Sequence, residues 1–447
     1  MNTAAVDMTV GSERSHLIRF ALPLLAGNLL QQVYNIADTA IVGKVLGDDA
    51  LAAVGATGSV TYLFYTVCLG LAAGAGIMIS QFFGAGFLRR MRAAVWNSAI
   101  VTVLFGLLIS VASLVLTVPV LRIMKTPDAL IAQSAAYMRI ACGGTLAVAA
   151  YNWIGSVMRA LGDSKTPLLF LAVSAGLNIL GDLLLVPVLH CGVEGAAAAT
   201  VAAQAISAIS CIIYAFTKFP ELRIPPEERV PDPRMMLLCI RTGMPIAAQN
   251  GLIALSMVAL QRVTNGFGET VMAAYTASMR VEQFIQQPFG SLGTAISTFT
   301  GQNIGAGKSE RAVRGLHTGL RISSGLAAAI AVVFWICGGL IVGCFISGEE
   351  SIALGRYALR ITSLCYIPLG AIYVARGFLN GAGDTAYAMM NGMAEVVCRV
   401  GGALLLTRAF GVDCRAIWLT TCITWTVTGA VGLLRYHGGR WRAKAIT

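Results

Sequence analysis

The sequence predicts an all-α polytopic membrane protein with twelve transmembrane helices in two six-helix lobes. Of its 447 residues, 57% are hydrophobic and only 12% are charged, whereas soluble domains carry about 25% charged residues. Twelve apolar runs are long enough to cross a bilayer. Sequence motifs also recur at one fixed spacing. Because each half has an even number of spans, we expect the lobes to be related by a pseudo-two-fold axis along the membrane normal.

The spans are predicted from apolar runs of about 20 residues or more. In the first half they cover residues 17–42, 53–79, 93–116, 130–158, 167–189 and 196–216. In the second half they cover residues 244–263, 273–299, 319–344, 358–379, 386–410 and 416–434. A polar, proline-rich stretch between the two sets disfavours helix. We therefore predict an amino-terminal lobe (1–216), a cytoplasmic linker (217–234) and a carboxy-terminal lobe (235–447).

Two motif pairs indicate an internal duplication. Gln81-Phe-Phe-Gly-Ala-Gly86 returns as Gln302-Asn-Ile-Gly-Ala-Gly307, and Gly162-Asp163 returns as Gly383-Asp384, each 221 residues later. A spacing shared by separate motifs is typical of a duplicated unit. Duplication within a strongly apolar chain is typical of transporters.

Glycines also recur at small-xxx-small spacing within the predicted spans, as in Gly70 with Gly74 and Gly377 with Gly381. This spacing lets helices approach closely in lipid. We expect these glycines to serve helix packing.

The net charge of +11 is distributed as expected for a membrane protein. Arginine and lysine cluster in alternate loops, around residues 89–92, 159–165, 218–241, 308–314 and 435–444. The positive-inside rule assigns such loops to the cytoplasm. We therefore expect both termini to be cytoplasmic, with membrane lipids as neighbours and no nucleic-acid partner.

The sequence shows no catalytic constellation. The four histidines fall outside the predicted spans, the eleven cysteines form no Cys-x-x-Cys pair, and neither a phosphate-binding loop nor a nucleophile elbow occurs. We expect no enzymatic activity, no resident metal and no cofactor.

Two acidic residues within predicted spans are the main candidates for chemistry. Asp38 lies in the first span and Asp182 in the fifth, where a carboxylate costs several kcal/mol unless it is paired or protonated. Two carboxylates in an apolar pocket cannot both stay charged without a counter-ion, so either a proton or a cation such as Na⁺ is bound. A position of Asp38 near the lipid headgroups is the alternative.

Three neutral polar residues are candidate partners of these acids. Asn178 precedes Asp182 by four residues, so both side chains lie on one helical face. Counted from the predicted outer helix ends, Thr200 lies at a depth similar to that of both acids, whereas Asn152 lies nearer the cytoplasm. A purely structural hydrogen-bonding role is the alternative for all three.

The second half has no acids at the corresponding positions, which are occupied by Ala259 or Leu260 and by Ala403. Coupling is therefore expected in the first lobe alone. Intramembrane ion pairs are expected for Arg280 with Glu282 and for Glu395 with Arg399. Amide side chains are the candidate contacts to cargo, although helix packing is their commoner use. They are Gln31, Asn35, Gln249, Asn250, Gln283 and Gln287.

Together, the two six-span halves, the Gly-Ala-Gly loops, the first-span residues Pro23 to Asp38 and Asn178-x-x-x-Asp182 resemble the multidrug and toxic compound extrusion (MATE) family. The resemblance spans nearly the whole chain. It implies a cation-coupled antiporter that exports bulky, often cationic, organic compounds by switching between outward-facing and inward-facing states.

The resemblance is to the prokaryotic subgroup with a cation site in the amino-terminal lobe. It implies that Asp38, Asn178, Asp182 and Thr200, with Asn152 nearby, couple H⁺ or Na⁺ to export. Other members use a glutamate in the seventh span and an aspartate in the tenth, and this chain has neither.

We therefore expect a monomeric antiporter of the prokaryotic plasma (inner) membrane that acts on a small organic molecule. The alternative is a flippase of the same superfamily for a lipid-linked or amphiphilic substrate. Such a flippase would share the helical plan but would need a cavity rich in cations.

Overall fold

The computed structural model describes residues 5–124 and 126–446, and every regular element in these ranges is a helix. The first half contains α1 Glu13–Leu46, α2 Asp48–Gly84, α3 Leu88–Ile123, α4 Asp128–Gly143, α5 Thr145–Ala160, α6 Lys165–Leu185 and α7 Gly192–Lys218. The second half contains α8 Pro233–Asn265, α9 Glu269–Gly305, α10 Ser309–Gly343, α11 Glu349–Ser363, α12 Tyr366–Gly381, α13 Ala386–Val396, α14 Gly402–Leu404 and α15 Ala416–His437. The π-helical segments Val397–Gly401 and Leu405–Ala409 flank α14.

The helix boundaries repeat with the spacing of the motifs. Helices α2 and α9 begin at residues 48 and 269 and end at residues 84 and 305, a constant offset of 221. The irregularities repeat as well, because α4 and α5 are bent by 42° and α11 and α12 by 52°. The first residues after these two breaks, Thr145 and Tyr366, are again 221 residues apart. The structure thus extends the duplication from sequence motifs to helix geometry.

The predicted spans 130–158 and 358–379 are each broken, which the sequence analysis missed. At the first break, a Cβ on Gly144 would overlap the side chain of Val201 in α7, so glycine allows the close approach there. Helices α2, α9 and α11 also begin four to nine residues earlier than predicted. Their first turns carry Asp48, Glu269 and Glu349. Acidic residues stabilise the N-terminus of a helix electrostatically. Because they lie outside the apolar runs, the predicted spans begin too late.

By length and composition, eight described helices can cross a membrane, or ten if each bent pair is one span. Helices α1 and α9, with 34 and 37 residues, are long enough but more polar. They carry many of the amides and acids proposed above for cargo and cation. With these two, the described ranges contain the twelve predicted segments.

The chain divides into two compact units. The first comprises the described residues up to Asp7 together with Leu22–Ala247, and the second comprises Met8–Ala21 and the described residues from Ala248 onward. This division by contacts lies within α1 and α8. The predicted division at 1–216, 217–234 and 235–447 concerns the duplicated sequence and stays a prediction.

The linker packs against α3 within the first unit. Two short 3₁₀ turns, Pro220–Leu222 and Pro226–Glu228, replace the helix there. The side-chain amide of Asn97 in α3 donates to the Val230 carbonyl (3.3 Å) and accepts from the Asp232 backbone N–H (2.7 Å). Leu222 is fully buried. The linker is therefore an ordered part of this unit.

The small-xxx-small glycines lie at close helix contacts, as expected. In the first unit, a Cβ on Gly70 would lie 2.5 Å from the Ala247 backbone nitrogen, and one on Gly74 would lie 2.6 Å from that of Gly243. In the second unit, a Cβ on Gly377 would overlap the Gly293 carbonyl oxygen. These separations leave no room for a methyl group.

Replacing Gly74 by Ala should therefore destabilise the protein by about 1–3 kcal/mol through overpacking. The matched control is Gly176→Ala in α6, where no described atom lies within 4 Å of the added Cβ. The control should be neutral or slightly stabilising, because Ala favours helix over Gly. Thermal unfolding midpoints of both variants in detergent test this, and equal midpoints would contradict the packing role.

Candidate functional site

The structure brings Asp38 of α1 and Asp182 of α6 together inside the first unit. Their carboxyl groups lie within hydrogen-bonding range of each other. Asp182 is fully buried, and Asp38 is half-buried. Asp38 Oδ1 and both carboxyl oxygens of Asp182 are buried and receive no hydrogen bond from any described group. Two acids with unsatisfied oxygens therefore share one space.

Asn178 and Thr200 complete one side of this space. Asn178 is 2% exposed and lies one helical turn before Asp182 on α6. Its Nδ2 donates to Thr200 Oγ1 at 3.1 Å, and that hydroxyl donates to the Ala196 carbonyl oxygen at 3.1 Å. The Asn178 Oδ1 is buried without a donor in the described part of the chain. The amide oxygen is thus left available beside the acids.

Three residues that the sequence analysis did not select also lie here. The Tyr34 hydroxyl is within hydrogen-bonding reach of the Gln31 and Gln204 amides, and Gln204 Oε1 is buried with no described donor. Tyr137 of α4 lies close enough to interact electrostatically with both acids.

The sequence held a signal for two of these three residues. Tyr34 is one turn before Asp38, and Gln204 is one turn after Thr200, so each shares a helical face with a predicted residue. Tyr137 has no such signal.

Asn152 is placed differently from the other predicted members of the site. Its Nδ2 donates to the Val148 carbonyl of its own helix α5 at 2.8 Å. No described contact joins it to the acid pair. Its predicted part in cation coupling stays a prediction.

The candidate cargo contacts differ in accessibility. Gln31, Asn35 and Gln283 are exposed and Asn250 is half-buried, whereas the Gln287 amide donates to the Gln283 carbonyl of its own helix at 2.9 Å. Gln249 is 1% exposed, which leaves almost no surface for cargo to touch.

Gln249 belongs to a buried polar cluster of the second unit. With its amide oxygen turned toward Arg376, Gln249 accepts from Arg376 Nε at 2.8 Å. Arg376 Nη2 also donates to Asn391 Oδ1 at 3.0 Å. The cluster joins α8, α12 and α13 by hydrogen bonds.

One of the two predicted ion pairs is present. Glu395 and Arg399 form a buried pair at 2.8 Å, and Arg399 also donates to Ser256 Oγ at 2.7 Å. The prediction for Arg280 with Glu282 is wrong, because Arg280 is exposed whereas Glu282 is buried near Thr362. Residues two apart on a helix point in different directions.

The oxygens of the acid pair, Asn178, Thr200 and Gln204 are suited to two kinds of occupant. A shared proton would let one carboxyl donate to the other. Alternatively, a hard monovalent cation would be held by carboxylate, amide and hydroxyl oxygens, the ligand types such ions prefer. Either occupant lowers the cost of keeping two acids in an apolar environment.

A duplicated, all-helical chain with membrane-spanning segments and a buried acidic pair defines the class of integral membrane transporters. The sequence model described as MatE matches residues 23–184 and 245–405. The chain therefore belongs to the MatE family. The two matched segments begin at residues 23 and 245, which supports the internal duplication independently.

Curated relatives and solved structures agree with this assignment. The "Probable multidrug resistance protein YpnP" of Bacillus subtilis (strain 168) is 30% identical over 443 residues and 98% of each chain. The "Probable multidrug resistance protein NorM" of Thermotoga maritima is 23% identical, over 97% of this chain and 94% of the relative. A crystal structure of MATE in complex with MaL6 superposes with a TM-score of 0.92 at 21% identity, over 99% of each chain. The predicted fold class is confirmed.

Proposed function

We propose that this chain is a cation-coupled antiporter that exports organic, often cationic, compounds by alternating access, with H⁺ or Na⁺ as the coupling ion. The cation site consists of Asp38 and Asp182, supported by Asn178 and Thr200. The observation that carries the proposal is the convergence of buried, unsatisfied oxygens around the two acids.

Helix α1 links the cation site to the proposed cargo contacts. Gln31, Tyr34 and Asp38 follow one another at spacings of three and four residues, which places them along one face of α1. The Tyr34 hydroxyl lies within reach of the exposed Gln31 and of Gln204 in α7. A change of charge at Asp38 therefore repacks the α1 surface that also carries Gln31 and Asn35. In this proposal cation and cargo compete for alternative arrangements of α1.

For an uncharged cargo, the membrane potential acting on one cation supplies enough free energy for export. Moving one charge down about 100 mV releases roughly 2.3 kcal/mol. At 1.4 kcal/mol per tenfold, this free energy supports a gradient of about fifty-fold in an uncharged cargo. Neutralising the acid pair on one side of the membrane and releasing the cation on the other is the step that uses this energy.

Several finer points belong to the same proposal. The curated relatives carry names that describe multidrug resistance proteins, which supports small organic molecules as cargo. Bacterial relatives support the prokaryotic plasma membrane as the location. The alternating basic loops support cytoplasmic termini. We further propose that the protein acts as a monomer.

The test is transport of a fluorescent cationic dye by the purified full-length protein in proteoliposomes. Sodium and proton gradients are imposed separately. Under one of the two gradients, we expect the dye to move in the direction opposite to the ion. That ion gradient should collapse as dye accumulates. Transport that is independent of both gradients would overturn the proposal.

One observation favours the flippase as the second candidate. Arg376 is half-buried in α12, bonded to Gln249 and Asn391, and no ion pair of Arg376 occurs among the described residues. An unpaired cation within a membrane-spanning helix is suited to an anionic headgroup. Movement of a labelled anionic lipid between leaflets, with no dye transport, would favour this alternative.

A further inference from the structure

A small pocket lies between α10 and α11 in the second unit, away from the acid pair and the Arg376 cluster. It has a volume of about 300 Å³, which is at the lower end of ligand-sized pockets. Two arginines of α11, Arg356 and Arg360, line it together with Trp335 of α10 and Tyr357. None of these residues takes part in the proposed transport site.

Helix α10 holds both guanidinium groups in place. Arg360 Nη2 donates to the Trp335 carbonyl oxygen at 2.8 Å, and its guanidinium lies over the Trp335 ring at 5.5 Å. Arg356 rests against the backbone of Gly339, where an added Cβ would lie 2.6 Å from Arg356 Nη2. Trp335 and Gly339 are themselves one helical turn apart. Each arginine thus contacts a different residue of α10.

The charge of this arginine pair is not balanced by the protein. The two residues are one turn apart on α11, so their like charges repel. No described carboxylate lies within salt-bridge distance of either guanidinium, and Arg360 Nε is buried without an acceptor in the described ranges. Asp413, which lies near Tyr357, is paired with Arg415 at 3.7 Å. Glu349 and Glu350 lie in the first turn of α11, before the pocket.

The surroundings of the pocket are apolar and outward-facing. Trp335, Ile336, Leu340 and Leu364 are 49%, 75%, 76% and 57% exposed. On membrane-spanning helices such side chains face acyl chains. Trp335 is eight residues before the end of α10 at Gly343, about 12 Å along the axis. Because α10 has 35 residues, roughly 52 Å of helix, it is longer than a bilayer of about 40–45 Å, so its ends reach the headgroup layers.

We propose that the Arg356–Arg360 pocket binds the phosphate of an anionic phospholipid. Guanidinium groups bind phosphate oxygens through paired N–H donors. The exposed apolar side chains beside the pocket accommodate the acyl chains. The bound phosphate neutralises the repulsion between the two arginines.

The test is native mass spectrometry of delipidated full-length protein in detergent, titrated separately with phosphatidylglycerol, phosphatidylcholine and inorganic phosphate. We expect phosphatidylglycerol to bind at least about tenfold more tightly than the other two probes. The variant R356Q/R360Q should lose this preference. The G339V variant keeps both charges but displaces Arg356, so it should weaken phosphatidylglycerol binding by a similar factor.

Arg321→Gln is the matched control, because Arg321 is an exposed arginine on the same helix, about 21 Å from Trp335 along the axis. It should bind phosphatidylglycerol as the unmodified protein does. Equal binding of phosphatidylglycerol and phosphatidylcholine by the unmodified protein would overturn the proposal, whether or not the variants fold. Inorganic phosphate binding as tightly as phosphatidylglycerol would assign the pocket to free phosphate and reject the lipid.

Discussion

Replacing Asp182 by Asn should abolish gradient-driven dye export, with a loss of about a hundredfold or more, while leaving the protein folded. The side chain is fully buried and faces Asp38. Asparagine has nearly the shape of aspartate. It has no acidic proton to release and no negative charge with which to bind a cation. The free energy of the ion gradient is then no longer coupled to dye export. Asp38→Asn should have the same effect.

The measurement is dye transport in proteoliposomes under the gradient that drives the unmodified protein. Dye binding at equilibrium and the thermal unfolding midpoint, both in detergent, provide the second and third measurements. Both variants should bind dye less tightly than the unmodified protein, because a neutral side chain in the acid pair imitates the cation-bound state that competes with cargo. An unfolding midpoint that is not lowered, together with lost transport, distinguishes uncoupling from misfolding.

Full transport by either Asp variant would remove the acid pair from the mechanism. Asn152→Ala tests the remaining predicted member of the site, because the Asn152 amide bonds only its own helix among the described contacts. Loss of coupled export in this variant would support the predicted role of Asn152, and retained coupled export would contradict it.

Replacing Asp384 by Ala should lower the free energy of unfolding by about 2–4 kcal/mol, which is a large effect for a single substitution. Asp384 is 1% exposed, and its carboxylate accepts from Arg435 Nε at 2.8 Å and from Nη2 at 3.0 Å. Removing the acid leaves a mostly buried guanidinium without a counter-ion. Because the Arg435 side chain is 17% exposed, we expect a smaller loss of stability than for a fully buried pair.

The duplication supplies the control for this prediction. Asp163 is the equivalent residue of the first half, but its Oδ1 accepts from the backbone N–H groups of Lys165 (2.9 Å) and Thr166 (3.1 Å) at the start of α6. Loss of such a cap costs about 1 kcal/mol. Thermal unfolding in detergent should therefore show a larger shift for Asp384→Ala than for Asp163→Ala. Equal shifts would contradict the importance of the ion pair.

Asp163 and Asp384 occupy equivalent positions of the repeat but have different partners. The repeated Gly-Asp dipeptide is visible in the sequence at a spacing of 221 residues. The motif alone predicts equivalent loops, and it does not distinguish a helix cap from an ion pair. The distinction depends on Arg435, which is 51 residues away from Asp384.

The candidate site shows the same limit. Asp38 and Asp182 were selected because a carboxylate in an apolar run is costly wherever it folds. Asn178 followed from helical spacing, and Tyr34 and Gln204 were accessible by the same rule. Tyr137 was not, because only the packing of α4 brings it near the acids.

From the amino-acid sequence, hydropathy predicted the membrane-spanning class, motif spacing predicted the duplicated halves, and charge within apolar runs identified the acids that carry the proposed chemistry. These signals are present along the chain whatever the packing of its helices. Three features are visible only in the folded chain, namely the ends of α4 and α11, the burial of Gln249 against Arg376, and the pocket shared by Arg356 and Arg360. Those outcomes depend on which helix surfaces meet, and close packing between distant segments selects them.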